Sequence, residues 1–358
     1  MVLALDSMRE TDRIDSDLER RFLEKIEIGY RRLLTFEVPS EPGGFDWWGK
    51  APANLFLSAY GLMEFLDLAE VTAVDPDLPR RIVRFLRSKQ HEDGSWRPEG
   101  IKTGWSTNMA KGRAFFLTAY VAWGLARAGE PDAKAVAWLE AHADEADDPY
   151  GLALATLALG TSDPESDVAT QLRERLAAMT AKDAHGVHWV PEGETGVGGR
   201  GTSAAIETTA LAIPALLPET RHRRLAERAV ERLAHWRDAK GRFGTTQSTI
   251  LALKAFLAVE SQQTPWTETV CEVLRGETVR ATLPLTSTST EPEYLDLGDE
   301  APSALALADD ARVQAVLART TWRPWSEALP GGGRLTLDVA WPQETLSVGQ
   351  IAGATARV

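Results

Sequence analysis

Two hydrophobic rhythms alternate along the first 260 residues. One set of segments is rich in Ala, Gly, Thr and Leu and is apolar on almost every side: LSAYGLMEFL (57–66), LTAYVAWGLA (117–126), YGLALATLAL (150–159), IETTALAIPALL (206–217) and STILALKAFL (248–257). The other set is strongly charged, with apolar residues recurring at i, i+3, i+4 and i+7: residues 17–34, 77–90, 131–143, 167–179 and 220–236. A helix apolar all round must be buried all round, whereas a helix with one apolar stripe covers something and faces water. The alternation therefore predicts inner helices wrapped by outer ones, with small side chains letting the inner backbones approach closely. Counting residues 1–9 as a first inner helix gives six inner and five outer helices. Paired helices of this kind close into an α/α toroid of the terpenoid-cyclase-like type or stack into an open solenoid. A solenoid needs polar capping repeats; none is visible in the sequence, so the closed ring is the expectation.

Four short turns punctuate the helices: GGFDWWG (43–49), EDGSWRPEG (92–100), HGVHWVPEG (185–193) and KGRFGTTQ (240–247). Each sets glycine beside an aromatic and joins an outer helix to the next inner one. Glycine permits the tight reversal, and the aromatic is expected to cover the end of the inner helix. Trp47, Trp48, Trp96 and Trp189 are thus rim aromatics. The alternative is a platform for a sugar or a terpene.

From about residue 268 the period changes to two. ETVRATLPL (277–285), RVQAVLARTTW (312–322), RLTLDVAW (334–341) and TLSVGQIAGATARV (345–358) read as strands separated by turn-rich segments, a small antiparallel β region. The expected organisation is an α/α-toroid domain over 1–262 followed by a β appendage.

Composition narrows the function. The net charge of −13 is opposite to what nucleic acid or an anionic membrane attracts. No apolar run reaches the ~18–20 residues of a membrane span, and residues 1–15 do not read as a secretory leader. One cysteine, Cys271, excludes an internal disulfide and a Cys-rich zinc site. It also lies outside the helical repeat, where a prenyltransferase-type zinc ligand would have to be. The acidic run DEADD (144–148) sits at an outer-to-inner junction and reads as a helix cap rather than a cyclase acid. His185 and His188 flank a turn near Glu192 without an evident third ligand. Asp46, Asp93, Glu192 and Glu207 share one end of the ring, but no spacing selects a carboxylate pair; Glu207 reads as a dipole-stabilised residue at a helix start. No nucleophile elbow, phosphate loop or dinucleotide fingerprint is present. No residue is assigned a catalytic, cofactor or metal role.

The ordered series GYRRLLTFEVPSEPGGFDWWGKAPANLFLSAYGLMEF, RFLRSKQHEDGSW, FFLTAYVAWGLARAG, GVHWVPEG, AAIETTALA and GRFGTTQSTILALKAF resembles the thioester-containing domain of bacterial α2-macroglobulin-like proteins over roughly residues 1–260. The resemblance implies that the β appendage is a partial β domain over 263–340 and the start of a further macroglobulin-type β domain over 341–358, and it implies a part in protease trapping. A protease cuts a bait region, the large molecule rearranges, and a buried Cys–Gln thioester acylates an amine or hydroxyl on the attacker. It implies neighbouring macroglobulin domains and target proteases as partners, no cofactor, and a periplasmic, cell-envelope or secreted parent. In the family the thioester segment, of the type C-x-E-Q, stands just before the first inner helix. This chain begins at Met1 just past that point and contains no such motif, so a non-enzymatic fragment that forms no thioester of its own is expected. Some relatives carry an acyl-accepting histidine in the loop after the second Gly-aromatic turn. Here that loop, RPEGIKTGWSTNMAKG (97–112), has none; Trp105, Ser106 and Asn108 occupy it, which implies direct transfer to amines. The alternatives are an α/α-toroid enzyme of terpene-cyclase-like or polysaccharide-acting type, and a stand-alone interaction scaffold.

Overall fold

The computed structural model describes residues 1–10, 14–97, 114–196, 198–238, 241–261, 269–285, 295, 304–307, 338–340 and 355–357. Among them the inner helices are α1 (Val2–Glu10), α3 (Leu55–Val71), α5 (Ala114–Arg127), α7 (Pro149–Ser162), α9 (Thr202–Leu216) and α11 (Thr246–Glu260). The outer helices are α2 (Ser16–Leu34), α4 (Asp77–Ser88), α6 (Ala133–Ala141), α8 (Asp167–Ala178) and α10 (Arg223–His235). Each inner helix touches the next, and α11 returns to touch α1, so the ring closes. The chain is an α/α toroid, not an open superhelix.

The burial follows the sequence rhythm. Every residue of α7 from Pro149 to Leu159 is buried. So is every residue of α9 from Ala204 to Ile213. Small residues set the spacing: a Cβ on Gly151 would lie 2.2 Å from the Phe116 ring of α5. The outer helix α4 buries one stripe, Leu78, Ile82, Val83, Phe85 and Leu86. The exposed face of α2 carries i,i+4 pairs such as Arg21–Asp17 and Arg31–Glu27, which water screens strongly. Helix α1 is the exception among the inner six, burying Leu5 alone. Arg9 ties it down, donating from Nη1 to the Val71 carbonyl at 2.9 Å and pairing with Glu19.

Two small features were not read from the sequence. Residues 181–188, leading into the third Gly-aromatic turn, form a hairpin of β1 (Ala181–Asp183) and β2 (Gly186–His188). Beyond the ring, β3 (Thr269–Arg275) is the centre of an antiparallel sheet in the order β4–β3–β5, with β4 at Thr278–Leu285 and β5 at Ala304–Leu307. Strand β4 matches the expected 277–285, whereas β3 carries Cys271 buried and reduced. A separate pair joins β6 (Asp338–Ala340) to β7 (Thr355–Arg357). The expected strand over 312–322 lies outside the described residues.

Candidate functional site

The inner helices start at one end of the ring, and the Gly-aromatic turns build that end from one repeated device. An aromatic main-chain N–H donates to a Ser or Thr hydroxyl on the following inner helix: Phe45 to Ser58 (2.9 Å), Trp96 to Thr118 (2.9 Å), Trp189 to Thr209 (3.1 Å) and Phe243 to Thr249 (3.1 Å). Where the aromatic is tryptophan, its indole also donates to the outer helix just left behind. Trp96 reaches the Leu86 carbonyl of α4 at 2.8 Å, and Trp189 the Leu176 carbonyl of α8 at 2.7 Å. Each ring therefore staples the end of one outer helix to the side of the next inner one. Glycine precedes it because the backbone there lies against the following outer helix. A Cβ on Gly94 (φ +91°) would stand 2.4 Å from the Lys134 carbonyl. At Gly43 (φ +84°) it would stand 2.2 Å from that of Arg81.

This geometry sorts the four rim tryptophans. Trp96 and Trp189 are fully buried, which fits rim packing and leaves no face for a sugar. Trp47 and Trp48 are not the covering aromatics of their turn. Phe45 holds that position, 5% exposed, while Trp47 and Trp48 are 42% and 76% exposed. The reason is register: Phe45, like Trp96, stands two residues after its glycine, and Trp47 and Trp48 fall on the outward loop capped by Asp46, whose carboxylate accepts from the Trp48 N–H at 2.9 Å. The first turn is held further by Glu37, which takes a bidentate pair from Arg81 at 2.7 and 2.8 Å and the Gly43 N–H at 2.8 Å. These donors keep the Glu37 carboxyl below its usual range, the Arg81 bond contributing most. Trp105, Ser106 and Asn108 lie outside the described residues.

The remaining sequence candidates have local partners. Asp93 accepts from the Ser95 hydroxyl and N–H and pairs with Arg97, and the Ser95 hydroxyl bond does most to bring its carboxyl down to about 2. Asp148 caps α7 through the Tyr150 N–H and also accepts from the Glu192 N–H at 2.7 Å, the capping role expected of DEADD. His185 stacks on His235, and His188 lies edge-on to Trp236 beside Asp183, its pKa lowered chiefly by burial. The group of described residues whose potential ligand atoms converge is instead Glu174, Glu219 and His222. Arg221 bonds both glutamates and Arg173 bonds Glu219, so the cluster is a charge-neutralising joint between helices.

Glu207 departs from its reading as a helix-start residue. It stands in the second turn of α9, beyond the reach of the helix terminus, and is 1% exposed. Its Oε1 accepts from the Ser248 hydroxyl at 3.0 Å and the Thr245 hydroxyl at 3.4 Å, and the Thr195 hydroxyl also donates to it. Oε2 has no partner. Burial raises the pKa against those three donors. Glu207 lines a small cleft between the inner helices, open to solvent in part. Phe56, Tyr60, Tyr120, Trp123 and Tyr150 supply most of its wall, and Glu64 and Lys254 reach it as well. Glu64, Glu207 and Lys254, spread over 190 residues of sequence, thus meet in one place. Lys254 is bonded to Asp67, which also pairs with Arg127 at 2.7 Å; Glu64 lies 3.9 Å from Lys254 and, its pKa raised mainly by burial, accepts from Tyr60.

A family model described as the A-macroglobulin TED domain matches residues 1–258, the extent of the helical ring. The chain belongs to that family. Complement C3 of Lethenteron camtschaticum is 25% identical over 269 residues, which is 71% of this chain and 16% of that protein. The thioester-containing domain of complement and macroglobulin proteins is thus the likeness established here, and the chain spans about a sixth of the length of that relative. In this TED domain the four Gly-aromatic turns are bonded to hydroxyls on α3, α5, α9 and α11. No helix among the described residues is long and apolar enough to cross a membrane.

Proposed function

We propose that this TED domain is the stiff collar of a macroglobulin-type protease-trapping protein, with the bacterial branch of the family as the one its motifs resemble. The observation that carries the reading is the coincidence of the family match over 1–258 with the closed ring. A close-packed interior transmits displacement rather than absorbing it. Such a body can hold a reactive segment against neighbouring macroglobulin domains and present it when bait cleavage moves them. The ring itself performs no chemistry in this reading. The sequence has no C-x-E-Q motif, and its one cysteine, Cys271, sits in β3. The Cys–Gln pair would come from residues preceding α1, beside the stapled end of the ring. The parent would act outside the cytoplasm, in the periplasm, at the cell envelope or as a secreted protein, with proteases as its targets.

Acyl transfer would go directly to amines, because the loop over 97–112 contains no histidine to relay the acyl group to hydroxyls. Trp105, Ser106 and Asn108 would border the acceptor. The test is to treat the full-length protein with methylamine before and after proteolysis and follow the product by mass spectrometry. The expected result is one methylamine incorporated per molecule with release of one thiol, and glycerol incorporated far more slowly. A full-length protein that takes up no amine in either state overturns the thioester reading, and equal rates for glycerol and amine overturn the selectivity.

A further inference from the structure

The cleft between the inner helices combines three features that point to a ligand. Its wall is aromatic: Phe56 stacks on Tyr120 with centroids 4.2 Å apart, and Trp123 stands edge-on to Tyr120 at 6.2 Å. Its charges do not balance. The carboxylates Glu64, Asp67 and Glu207 face two cations; Arg127 pairs with Asp67, Lys254 lies between Asp67 and Glu64, and neither pairs with Glu207. Finally, Glu207 is buried with Oε2 unpartnered, and among the described residues no basic side chain lies within ion-pair distance of it. An orphaned buried carboxylate oxygen costs about 1–3 kcal/mol or more when charged, and native structures rarely leave one without a donor.

We propose that this cleft binds a small ammonium ion, ammonium itself or a primary alkylammonium, with its N–H groups on Glu207 Oε2 and its carbon end against the aromatic wall. The chemistry of the lining selects this class. A hard metal ion asks for six or more oxygen ligands. Here the hydroxyls of Thr245 and Ser248 already donate to Oε1, leaving Oε2 without a partner beside an aromatic wall. An ammonium ion needs few acceptors and is attracted to the face of Trp or Tyr. An anion would meet the excess negative charge. Access is through the half-buried side: Tyr60, Glu64, Trp123, Gln247 and Lys254 retain solvent exposure, while Phe56, Tyr120, Tyr150 and Glu207 are buried. At the deep end Gly196 donates to the Tyr150 hydroxyl at 3.2 Å, and Gly199 packs on the Glu207 carboxylate, where a Cβ would come within 2.7 Å of Oε1. The inference stands apart from the thioester reading, since the cleft is made entirely of this chain's own inner helices.

The experiment titrates methylammonium chloride into the 358-residue chain near pH 8 by calorimetry and by thermal melting, with sodium chloride and methanol as matched controls. Saturable one-to-one binding and a raised melting temperature are expected for methylammonium alone. Glu207→Gln, which keeps the shape and the hydroxyl contacts, should weaken binding at least tenfold. Trp123→Leu, at the half-buried side, should weaken it about five- to tenfold, the value of a desolvated cation–π contact. The wild-type controls stand even if a variant folds poorly. Equal stabilisation by sodium or methanol, or unchanged methylammonium binding by a folded Glu207→Gln, overturns the proposal. So does no binding at all, which would mean that Glu207 resolves its burial by holding a proton.

Discussion

The turns at 92–96 and 43–49 have nearly the same composition and opposite fates. In one, Trp96 is sealed inside the protein with both its main-chain and indole N–H groups bonded. In the other, Trp48 stands 76% exposed and a phenylalanine does the sealing. What separates them is distance from the glycine. Position two after Gly43 or Gly94 meets the hydroxyl of the next inner helix, and residues further along the turn pass outside it. Aromatic content announces such a turn, but the aromatic that belongs to the core is the one whose N–H meets the hydroxyl of the next inner helix, two residues after Gly43 and Gly94 and three after Gly186.

The comparison can be broken most directly by truncation. Trp96→Ala or Trp189→Ala should cost about 3–5 kcal/mol in chemical denaturation, whereas Trp48→Ala should stay within about 0.5 kcal/mol. Equal costs would mean that the staples are incidental. The glycines offer a second contrast. Gly94→Ala drives a Cβ into the Lys134 carbonyl and should cost about 2–3 kcal/mol. Gly241→Ala, at a similar φ of +79° but with nothing within 4 Å, should cost only the conformational penalty of about 1–2 kcal/mol. Removing the acceptor alone is milder. Thr209→Val leaves the buried Trp189 N–H unpaired and should cost about 1–3 kcal/mol, measured against Thr249→Val in the less buried fourth turn.

A smaller effect distinguishes two carboxylates, Glu37 and Glu207, by pH. Glu37 in the first turn has a lowered pKa, so its contribution is present above the ordinary carboxylate range and disappears as pH falls through its folded value. Glu207 has a raised pKa, so the folded state holds the proton longer than the unfolded state. Stability then falls as pH rises from the ordinary carboxylate value toward the folded one. Melting temperatures of wild type and Glu207→Gln in ammonium-free buffer should therefore diverge with rising pH in favour of the variant. The Glu37→Gln and wild-type curves should instead converge as the solution is acidified.

The ring was legible because burial on all sides and burial on one side leave different marks. Residues 150–159 and 77–90 could not be exchanged without exposing leucines or burying arginines, and α7 and α4 appear where those marks lie. The junctions were legible as glycine beside aromatic. The identity of the covering residue in the first turn was not, because Phe45, Trp47 and Trp48 are equally apolar and the choice depends on the position of Ser58 in three dimensions. The cleft was also hidden. Glu64, Glu207 and Lys254 are far apart in sequence, and isolated charges on apolar helices look like exceptions until the ring brings them to one place. Strand β3 escaped notice because TVCEVLR shows little strict alternation.

The slender hold on α1 has a mechanical consequence. Five members of the ring are gripped along their length, while α1 is anchored by Leu5 and by the reach of Arg9 to Val71 and Glu19. A hoop made this way has a clasp. Thermal fluctuation should part it between α11 and α1 long before any other seam gives, with amide protons of α1 exchanging first and those of α7 last.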